Sequence, residues 1–319
     1  MTEADPLQFE DSQLDEALVY PDWFQLSLGD LNDDIATARA AGKFGIIVYY
    51  GQKHCPYCER FFEVDLGDPA IERYLRQHFD VIPVDIWGIE EFVDTDGRIY
   101  SERELALRYR ANFTPSLVFY DQNGKPVYRL RGYYPPYQFR AVLTYVAEGF
   151  YRQETLREYL ARAKPELFFT SGELIERDFF LAPPYDLRRD SATDKALAVI
   201  FEKGSCHACE LLHSGPLREP EILEQLGQMD VVQLDLLADT PVITPPGEKT
   251  TARQWGKALD LFYTPTIILF GSEGQEIMRI DSVVQFYRLQ GALDYVNRRI
   301  YDRGIDYQAW RLQQRDLLE

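Results

Sequence analysis

The sequence predicts an α/β fold that occurs twice in tandem along the chain. The first basis is a repeated motif: C-x-x-C begins at Cys55 and again at Cys206, 151 positions later, and the two motifs use all four cysteines. The second basis is the setting of each motif, which follows an apolar run typical of a buried strand and opens a segment that reads as a helix. A chain of 319 residues has room for about two domains of roughly 150 residues each.

The elements of the first copy follow from its composition. Acidic residues in a first turn and Gly42 at the end predict a helix over 30–41. β-Branched and aromatic residues predict a strand over 43–50, and Asn123-Gly124 between two apolar runs predicts a hairpin. The other predicted elements are a helix from the motif to 62, a helix over 69–77, a strand over 80–85, a long loop, a helix over 101–110, strands over 116–120 and 127–131, and a helix over 138–150.

The second half repeats this order, with an offset that moves only from 151 to 150. A period this long in two copies indicates a duplicated domain and not a solenoid. The matching positions include Asp68-Pro69 with Glu219-Pro220, Asp80-Val81 with Asp230-Val231, Thr114-Pro115 with Thr264-Pro265, Gly124 with Gly274, and Tyr145-Val146 with Tyr295-Val296.

Four segments are therefore expected along the chain. Residues 1–22 are an acidic N-terminal arm without a clear period, which we interpret as loose. Residues 23–151 form the first domain with the Cys-Pro-Tyr-Cys motif, and residues 152–189 form a helical linker. Residues 190–319 form the second domain with the Cys-His-Ala-Cys motif and a C-terminal helix.

The cysteine motifs predict redox chemistry. The first N–H groups of a helix have no partner within it and carry about half a positive charge. A sulfur placed there, as expected for Cys55 and Cys206, is stabilised as the thiolate, and its pKa falls from ~8.5 to between ~3.5 and ~7.5. Cys58 and Cys209 lie one turn further on and can close a disulfide or resolve a mixed disulfide with a substrate.

Charge and composition exclude several other functions. The formal net charge is −18, which argues against a nucleic-acid partner, because such proteins need basic patches. No apolar run approaches the ~18 residues of a membrane span, so the chain itself is not expected to be membrane-embedded. Residues 1–5 are acidic and do not resemble a signal peptide. The chain is thus expected to be cytoplasmic, or exported with its leader removed.

In these motifs the chain resembles the SoxW thioredoxins, which are associated with bacterial sulfur oxidation. The resemblance rests on A-A-G-K, the strand before C-P-Y-C, F-T-P and R-G-Y in the first copy, and is looser in the second. It implies two tandem thioredoxin-like domains, each a central mixed β-sheet flanked by helices. It also implies a periplasmic thiol-disulfide oxidoreductase without a cofactor. The implied partners are protein disulfide or thiol substrates and a membrane electron donor of the thiol-transfer type.

The resemblance also assigns site residues beyond the cysteines. In that superfamily a cis-proline faces the disulfide, and by position this is Pro115 in the first copy and Pro265 in the second. Thr114 and Thr264 precede them. The expected catalytic set is therefore Cys55, Cys58, Thr114, Pro115, Cys206, Cys209, Thr264 and Pro265.

The chain departs from thioredoxin itself at two positions in each copy. The tryptophan before the first cysteine is replaced by His54 and Ser205. The buried acid six residues before that cysteine is replaced by Tyr49 and Ile200, which removes the usual proton acceptor for the second cysteine.

Other interpretations stay open at this point. Two C-x-x-C pairs are also the ligand set of a Cys₄ zinc site, although such sites separate their halves by tens of residues. The rival function is a non-catalytic binding protein or chaperone that holds an extended partner segment. Glu59 and Glu210, each directly after a second cysteine, are either first-turn carboxylates or substitute proton acceptors. His54 and His207 are either surface groups or cations that favour the thiolate, and Tyr133, Tyr134 and Tyr137 either pack in the core or form a docking lip.

Overall fold

The computed structural model describes residues 5–163, 172–189 and 195–316. The chain divides into two compact units. The first, called here the Cys55 unit, is Ser12–Tyr159, and the second, called the Cys206 unit, is Met1–Asp11 together with Leu160–Glu319. Each unit contains one C-x-x-C motif.

The Cys55 unit alternates strands and helices in the predicted order. A π-helical turn, Phe61–Asp65, continues the helix that follows the cysteine motif. The elements are α1 (Leu31–Ala40), β1 (Gly45–Gly51), α2 (Pro56–Arg60), α3 (Pro69–His78), β2 (Phe79–Asp85), β3 (Glu91–Val93), β4 (Ile99–Ser101), α4 (Glu102–Arg108), β5 (Ser116–Asp121), β6 (Pro126–Arg131) and α5 (Pro136–Ala147), followed by α6 (Leu156–Ala163).

The central sheet of this unit has four strands in the order β2-β1-β5-β6. β1 pairs parallel to β2, with Gly45 opposite Phe79, and antiparallel to β5, with Tyr50 opposite Ser116. β6 continues the sheet antiparallel to β5. Every residue of β1 is buried, as expected for the central strand of a sheet covered by helices on both faces.

The Cys206 unit repeats this architecture. Its central sheet has the order β13-β12-β8-β9, with β8 parallel to β9 and antiparallel to β12. The elements are β7 (Tyr185–Asp186), β8 (Leu197–Glu202), α7 (His207–Ser214), α8 (Pro220–Gly227), β9 (Asp230–Asp235), β10 (Pro241–Ile243), β11 (Lys249–Thr251), α9 (Ala252–Ala258), β12 (Thr266–Phe270), β13 (Glu276–Ile280), α10 (Phe286–Asn297) and α11 (Tyr307–Asp316).

A hydrophobic cluster on one side of each sheet uses equivalent strand positions. In the Cys55 unit it includes Val48, Tyr50 and Val118, and in the Cys206 unit Val199, Phe201 and Ile268. The predicted fold class, two α/β copies each with a mixed sheet flanked by helices, is confirmed.

Two segments differ from the sequence-based description. The predicted long loop after β2 contains the short antiparallel hairpin β3–β4, because three-residue strands are too short to give a clear pattern. The N-terminal arm has no regular helix or strand over its described residues, yet hydrogen bonds fix it. Leu18 donates its backbone N–H to Lys53 O at 2.6 Å, and Leu14 donates its backbone N–H to His54 O at 3.4 Å.

Helix length and polarity bear on one further expectation. Among the helices in the described part of the chain, none is both long enough and apolar enough to cross a membrane.

The domain limits 23–151 and 190–319 stay predictions.

Candidate functional site

The first cysteine motif lies where β1 gives way to α2. Cys55 is the N-cap residue of α2, with an extended backbone, and Pro56 occupies the first helical position. Cys55 and Cys58 form a disulfide, with their Cα atoms 5.2 Å apart. Cys55 Sγ accepts the backbone N–H of Cys58 at 3.0 Å. The sulfur therefore accepts one of the N–H groups that have no partner within the helix. This position at the helix N-terminus favours a thiolate after reduction.

The second motif has the same geometry at the junction of β8 and α7. Cys206 is the N-cap of α7 and forms a disulfide with Cys209, again with Cα atoms 5.2 Å apart. Its Sγ accepts the Cys209 N–H at 3.1 Å. His207, and not proline, follows the first cysteine here, so this helix keeps the N–H that Pro56 lacks.

A Thr-Pro pair stands beside each disulfide, at the start of β5 and of β12. Both the Thr114–Pro115 and the Thr264–Pro265 peptide bonds are cis. Cys55 Sγ lies 3.1 Å from Thr114 Oγ1. Cys206 Sγ lies 3.4 Å from Thr264 Oγ1 and 3.5 Å from Thr264 O. The structure thus brings the eight expected site residues together, four in each unit, and their catalytic roles stay a prediction.

A polar chain that the sequence does not predict orients the threonine of the Cys55 unit. Trp87 donates its indole N–H to Gln52 Oε1 at 2.8 Å, and Gln52 Nε2 donates to Thr114 Oγ1 at 3.0 Å. Because the hydroxyl accepts from Gln52, its own hydrogen can be donated to Cys55 Sγ. Gln52 is replaced at the equivalent position by Lys203, whose pKa is lowered by burial.

Three equivalent positions near the motifs carry different side chains in the two units. In the Cys55 unit they are Tyr49, Gly51 and Phe62. The rings of Tyr49 and Phe62 are 5.5 Å apart, and a Cβ added to Gly51 would lie 2.5 Å from Tyr49 Cε1. Burial, with a smaller effect from Tyr20, raises the pKa of Tyr49 well above its usual value. In the Cys55 unit these three positions therefore hold two packed aromatic rings and a glycine that leaves room for them.

In the Cys206 unit the same positions are Ile200, Glu202 and His213. Glu202 and His213 are each 1% exposed, and His213 Nε2 lies 3.0 Å from Glu202 Oε2. Arg177 donates to His213 Nδ1, so the imidazole hydrogen is on Nε2 and is donated to Glu202. Gln233 also donates to Glu202 at 2.5 Å.

Ile200 stands six residues before Cys206, where thioredoxin has a buried acid. In this unit the buried acid is Glu202, four residues before Cys206. The sequence-based predictions do not include Glu202 or His213. The signal that could have found them is their spacing around the motif, with the carboxylate four residues before Cys206 and the imidazole four residues after Cys209.

The histidines next to the motifs are held by the N-terminal arm. His54 Nδ1 donates to Leu14 O at 2.9 Å. His207 Nε2 lies 2.6 Å from Asp5 Oδ2. The hydrogen bond that His207 donates to Asp5 raises the pKa of His207, with smaller contributions in the same direction from the Asp5 and Glu210 charges. His207 therefore carries more positive charge near neutral pH than a solvated histidine.

Access to the attacking sulfurs is restricted in both units. Cys55 is 1% exposed and Cys206 is 7% exposed. Thiol-disulfide exchange requires a thiolate to reach a sulfur of the disulfide. Little of either cysteine is therefore exposed to a substrate disulfide in this structure.

The remaining candidate side chains have simpler environments. Glu59 has a pKa raised by burial and then by the charge of Glu63, and Glu210 Oε2 lies 3.6 Å from His207 Nδ1. Tyr133 and Tyr134 are buried, in accord with packing in the core. No cluster of three His, Cys, Asp or Glu side chains suited to a metal ion occurs among the residues that the structure describes.

Comparison with known proteins identifies the repeated unit. A family model described as a thioredoxin-like domain matches residues 31–147 and 184–297. A thioredoxin-fold protein from Helicobacter pylori is 31% identical, with an alignment covering 39% of this chain and 86% of that chain and a TM-score of 0.34. A thioredoxin from Thermus thermophilus is 33% identical, with an alignment that covers 36% of this chain and 81% of that chain and a TM-score of 0.30. The oxidised C-terminal domain of DsbD from Neisseria meningitidis is 19% identical, with an alignment that covers 32% of this chain and 81% of that chain and a TM-score of 0.26. No curated protein matches the chain.

Proposed function

This chain belongs to the family of thioredoxin-like domains, and from that membership we propose that it is a thiol-disulfide oxidoreductase that reduces protein disulfides at two C-x-x-C sites. One observation carries the proposal. In each unit the first cysteine caps a helix and its sulfur accepts the N–H of the second cysteine, a geometry that stabilises the thiolate needed for exchange.

The proposed roles follow from position. In the reduced protein, the Cys55 or Cys206 thiolate attacks a substrate disulfide, forms a mixed disulfide and releases one substrate thiolate. Cys58 or Cys209 then attacks the mixed disulfide, which releases the second substrate thiolate and leaves the protein oxidised. Thr114 and Thr264, beside the attacking sulfurs, are proposed to position the substrate segment and the sulfur.

The narrower assignment is also a proposal. The resemblance to the SoxW thioredoxins supports a periplasmic location and recharging by a membrane electron donor of the thiol-transfer type. Reduction by such a donor returns each disulfide to the dithiol that attacks the next substrate.

Insulin reduction in the presence of a thiol donor tests the activity. The wild type is expected to accelerate precipitation of the insulin B chain, and each of the variants Cys55→Ser and Cys206→Ser is expected to lose the contribution of its own site. The double variant should fall to the rate of the thiol donor alone. Full activity in the double variant would reject the assignment.

The second candidate is a binding protein that holds an extended partner segment without turnover. The near-complete burial of Cys55 and Cys206 favours it, since an enzyme must expose its attacking sulfur. Titration of the two thiols in the reduced protein separates the functions. An oxidoreductase requires depressed pKa values at Cys55 and Cys206, whereas a binding protein requires no such depression.

A further inference from the structure

A short acidic stretch at the start of the described chain lies against the second redox site. Residues 5–11, Asp-Pro-Leu-Gln-Phe-Glu-Asp, are called here the acidic segment. The segment has three carboxylates in seven residues, forms no helix or strand, and belongs to the Cys206 unit.

One end of the segment is anchored at the cysteine motif. Asp5 Oδ2 lies 2.6 Å from the Nε2 atom of His207, the residue directly after Cys206. The raised pKa of His207 is mainly due to this carboxylate. The contact is therefore a charge-assisted hydrogen bond when His207 is protonated.

The other end is anchored at the start of α10. Asp11 is buried, and its two carboxylate oxygens accept the backbone N–H groups of Tyr287 and Arg288, each at 2.9 Å. These are first-turn amides of a twelve-residue helix whose own N-cap residue makes no side-chain capping bond. A carboxylate there satisfies orphan donors and interacts favourably with the helix dipole.

The middle of the segment is held through its backbone. Gln285, the residue before α10, donates its side-chain amide to Leu7 O at 2.5 Å. β13 ends at Ile280, which lies opposite Ile267, two residues after Pro265. The loop that holds the segment therefore starts next to the Thr264–Pro265 pair that contacts Cys206. One anchor, His207, directly follows Cys206, and the other lies at the start of α10.

We propose that the surface formed by His207, Gln285 and the first turn of α10 is a binding site for an extended acidic peptide segment, and that residues 5–11 occupy it within the same chain. A substrate segment displaces them before its disulfide reaches Cys206. This inference rests on the proposed oxidoreductase function and names its substrate class at the second site.

Three contacts define the chemistry of the ligand. The cationic imidazole of His207 and the amides at the start of α10 each select a carboxylate, and the two carboxylates are about six residues apart along the ligand. The Gln285 side-chain amide selects a backbone carbonyl of an extended segment between them. The first unit lacks this set, because Pro56 stands at the position equivalent to His207 and Pro135 at the position equivalent to Gln285. The acidic preference is therefore specific to the Cys206 site.

The test follows reduction of the Cys206–Cys209 disulfide by dithiothreitol in the full chain carrying Cys55→Ser and Cys58→Ser, so that one pair is reducible. A dithiothreitol thiolate attacks one sulfur of the disulfide, forms a mixed disulfide with that cysteine and releases the other cysteine as a thiolate. The second dithiothreitol thiol then attacks the mixed disulfide, which gives oxidised dithiothreitol and releases the remaining cysteine thiolate. Alkylation and mass spectrometry give the rate. In this background Asp5→Asn with Asp11→Asn is compared with Asp15→Asn and Glu16→Gln, which make the same charge change at exposed positions of the arm.

The Asp5, Asp11 variant is expected to be reduced about tenfold faster, corresponding to the loss of about 1.4 kcal/mol of capping and pairing. The control variant should keep the parent rate. A synthetic peptide of residues 4–12, added to the Asp5, Asp11 variant, should restore slow reduction, whereas the peptide with both aspartates replaced by asparagine should not. Equal rates in the variant and its parent, or equal effects of the two peptides, would overturn the proposal.

Amide hydrogen exchange in the unmodified protein provides a second measurement that needs no variant. Tyr287 and Arg288, which donate to Asp11, should be protected less than the central amides of β8, because the segment detaches without unfolding of the sheet. Equal protection would mean that the segment is a fixed part of the unit and would also overturn the proposal. Insulin reduction by the wild type is measured in parallel. If it fails while dithiothreitol reduction responds as expected, the oxidoreductase function is rejected and the binding site is retained.

Discussion

Asp65 is a carboxylate placed where water cannot reach it. It lies at the end of the π-helical turn that continues α2, it is fully buried, and neither of its oxygens has a hydrogen-bond partner among the described residues. Burial, and then the charge of Asp68, raise the pKa of Asp65 well above its usual value. The equivalent position of the second copy is Pro216, so the fold does not require an acid there.

We predict that Asp65→Asn removes a pH-dependent loss of stability. An acid whose folded-state pKa is raised binds more protons in the folded than in the unfolded state, so stability falls as pH rises from the unfolded pKa towards the folded one. The slope is about 1.4 kcal/mol per pH unit. Urea unfolding of the wild type and of Asp65→Asn at pH 4, 5.5 and 7 should show a steeper fall in the wild type, because Asp34, Glu59 and Glu102 also have raised pKa values and remain in the variant.

A matched control is Glu63→Gln, since Glu63 is exposed on the same turn. It should follow the wild type at each pH. A wild-type stability that stays level or rises over this range, with Asp65→Asn parallel to it, would contradict the burial of a raised-pKa acid at this position.

At the scale of elements, the two copies begin equivalent helices differently. Asp68 caps α3, with its Oδ1 accepting from Ala70 N at 2.7 Å and from Ile71 N at 3.3 Å. Glu219, at the start of α8, makes no side-chain capping bond. The longer glutamate side chain does not favour the capping geometry that aspartate adopts.

We therefore predict that Asp68→Ala lowers the free energy of unfolding of its unit by about 1 kcal/mol. Glu219→Ala in the other copy should change the stability by much less. Thermal unfolding of the two single variants, measured beside the wild type, makes the comparison. Equal losses in the two variants would show that the cap at Asp68 is not the reason.

Most elements can be predicted because their pattern is local. The helix over 69–77 is marked by Asp68-Pro69 and its apolar spacing, and the structure extends it by one residue to His78. The β3–β4 hairpin cannot be predicted, since two three-residue strands give too little alternation to detect. The sequence of the arm has no clear period and therefore predicts a loose segment. The residues that hold it are distant along the chain and cannot be recognised from its composition, as with Leu7 and Gln285, which are 278 positions apart.

At the scale of the whole molecule, the two redox pairs differ in the residue directly after the first cysteine. Pro56 contributes no N–H and no charge, whereas His207 contributes both a backbone donor and an imidazole with a raised pKa. Positive charge near a thiolate stabilises the reduced form and raises the reduction potential. We predict that the Cys206–Cys209 pair is more oxidising than the Cys55–Cys58 pair.

The expected gap is at most about 30 mV, which corresponds to about 1.4 kcal/mol for a two-electron couple. It is measured by equilibration in glutathione buffers of two full-length variants, each with serine at both cysteines of one motif. The variant His207→Pro should close the gap. An equal or lower potential for the Cys206–Cys209 pair would contradict the prediction.

The cysteines and the Thr-Pro pairs can be found from the sequence because each motif occurs twice, at offsets of 151 and 150 residues. The groups around them cannot. Trp87 and Gln52 are 35 positions apart and meet only through the fold. Glu202 and His213 look unrelated in the sequence, since a carboxylate four residues before a motif and a histidine four residues after it become neighbours only when β8 packs on α7.

The exchange of Tyr49, Gly51 and Phe62 for Ile200, Glu202 and His213 bears on how the duplicated copies diverged. Glutamate in place of Gly51 would clash with Tyr49, and phenylalanine in place of His213 would leave the buried Glu202 without its imidazole donor, a costly loss. These two single exchanges, Gly51→Glu and His213→Phe, are thus expected to lower the stability of their units. At these positions the side chains of each copy therefore depend on one another, and a residue of one copy does not fit singly into the other.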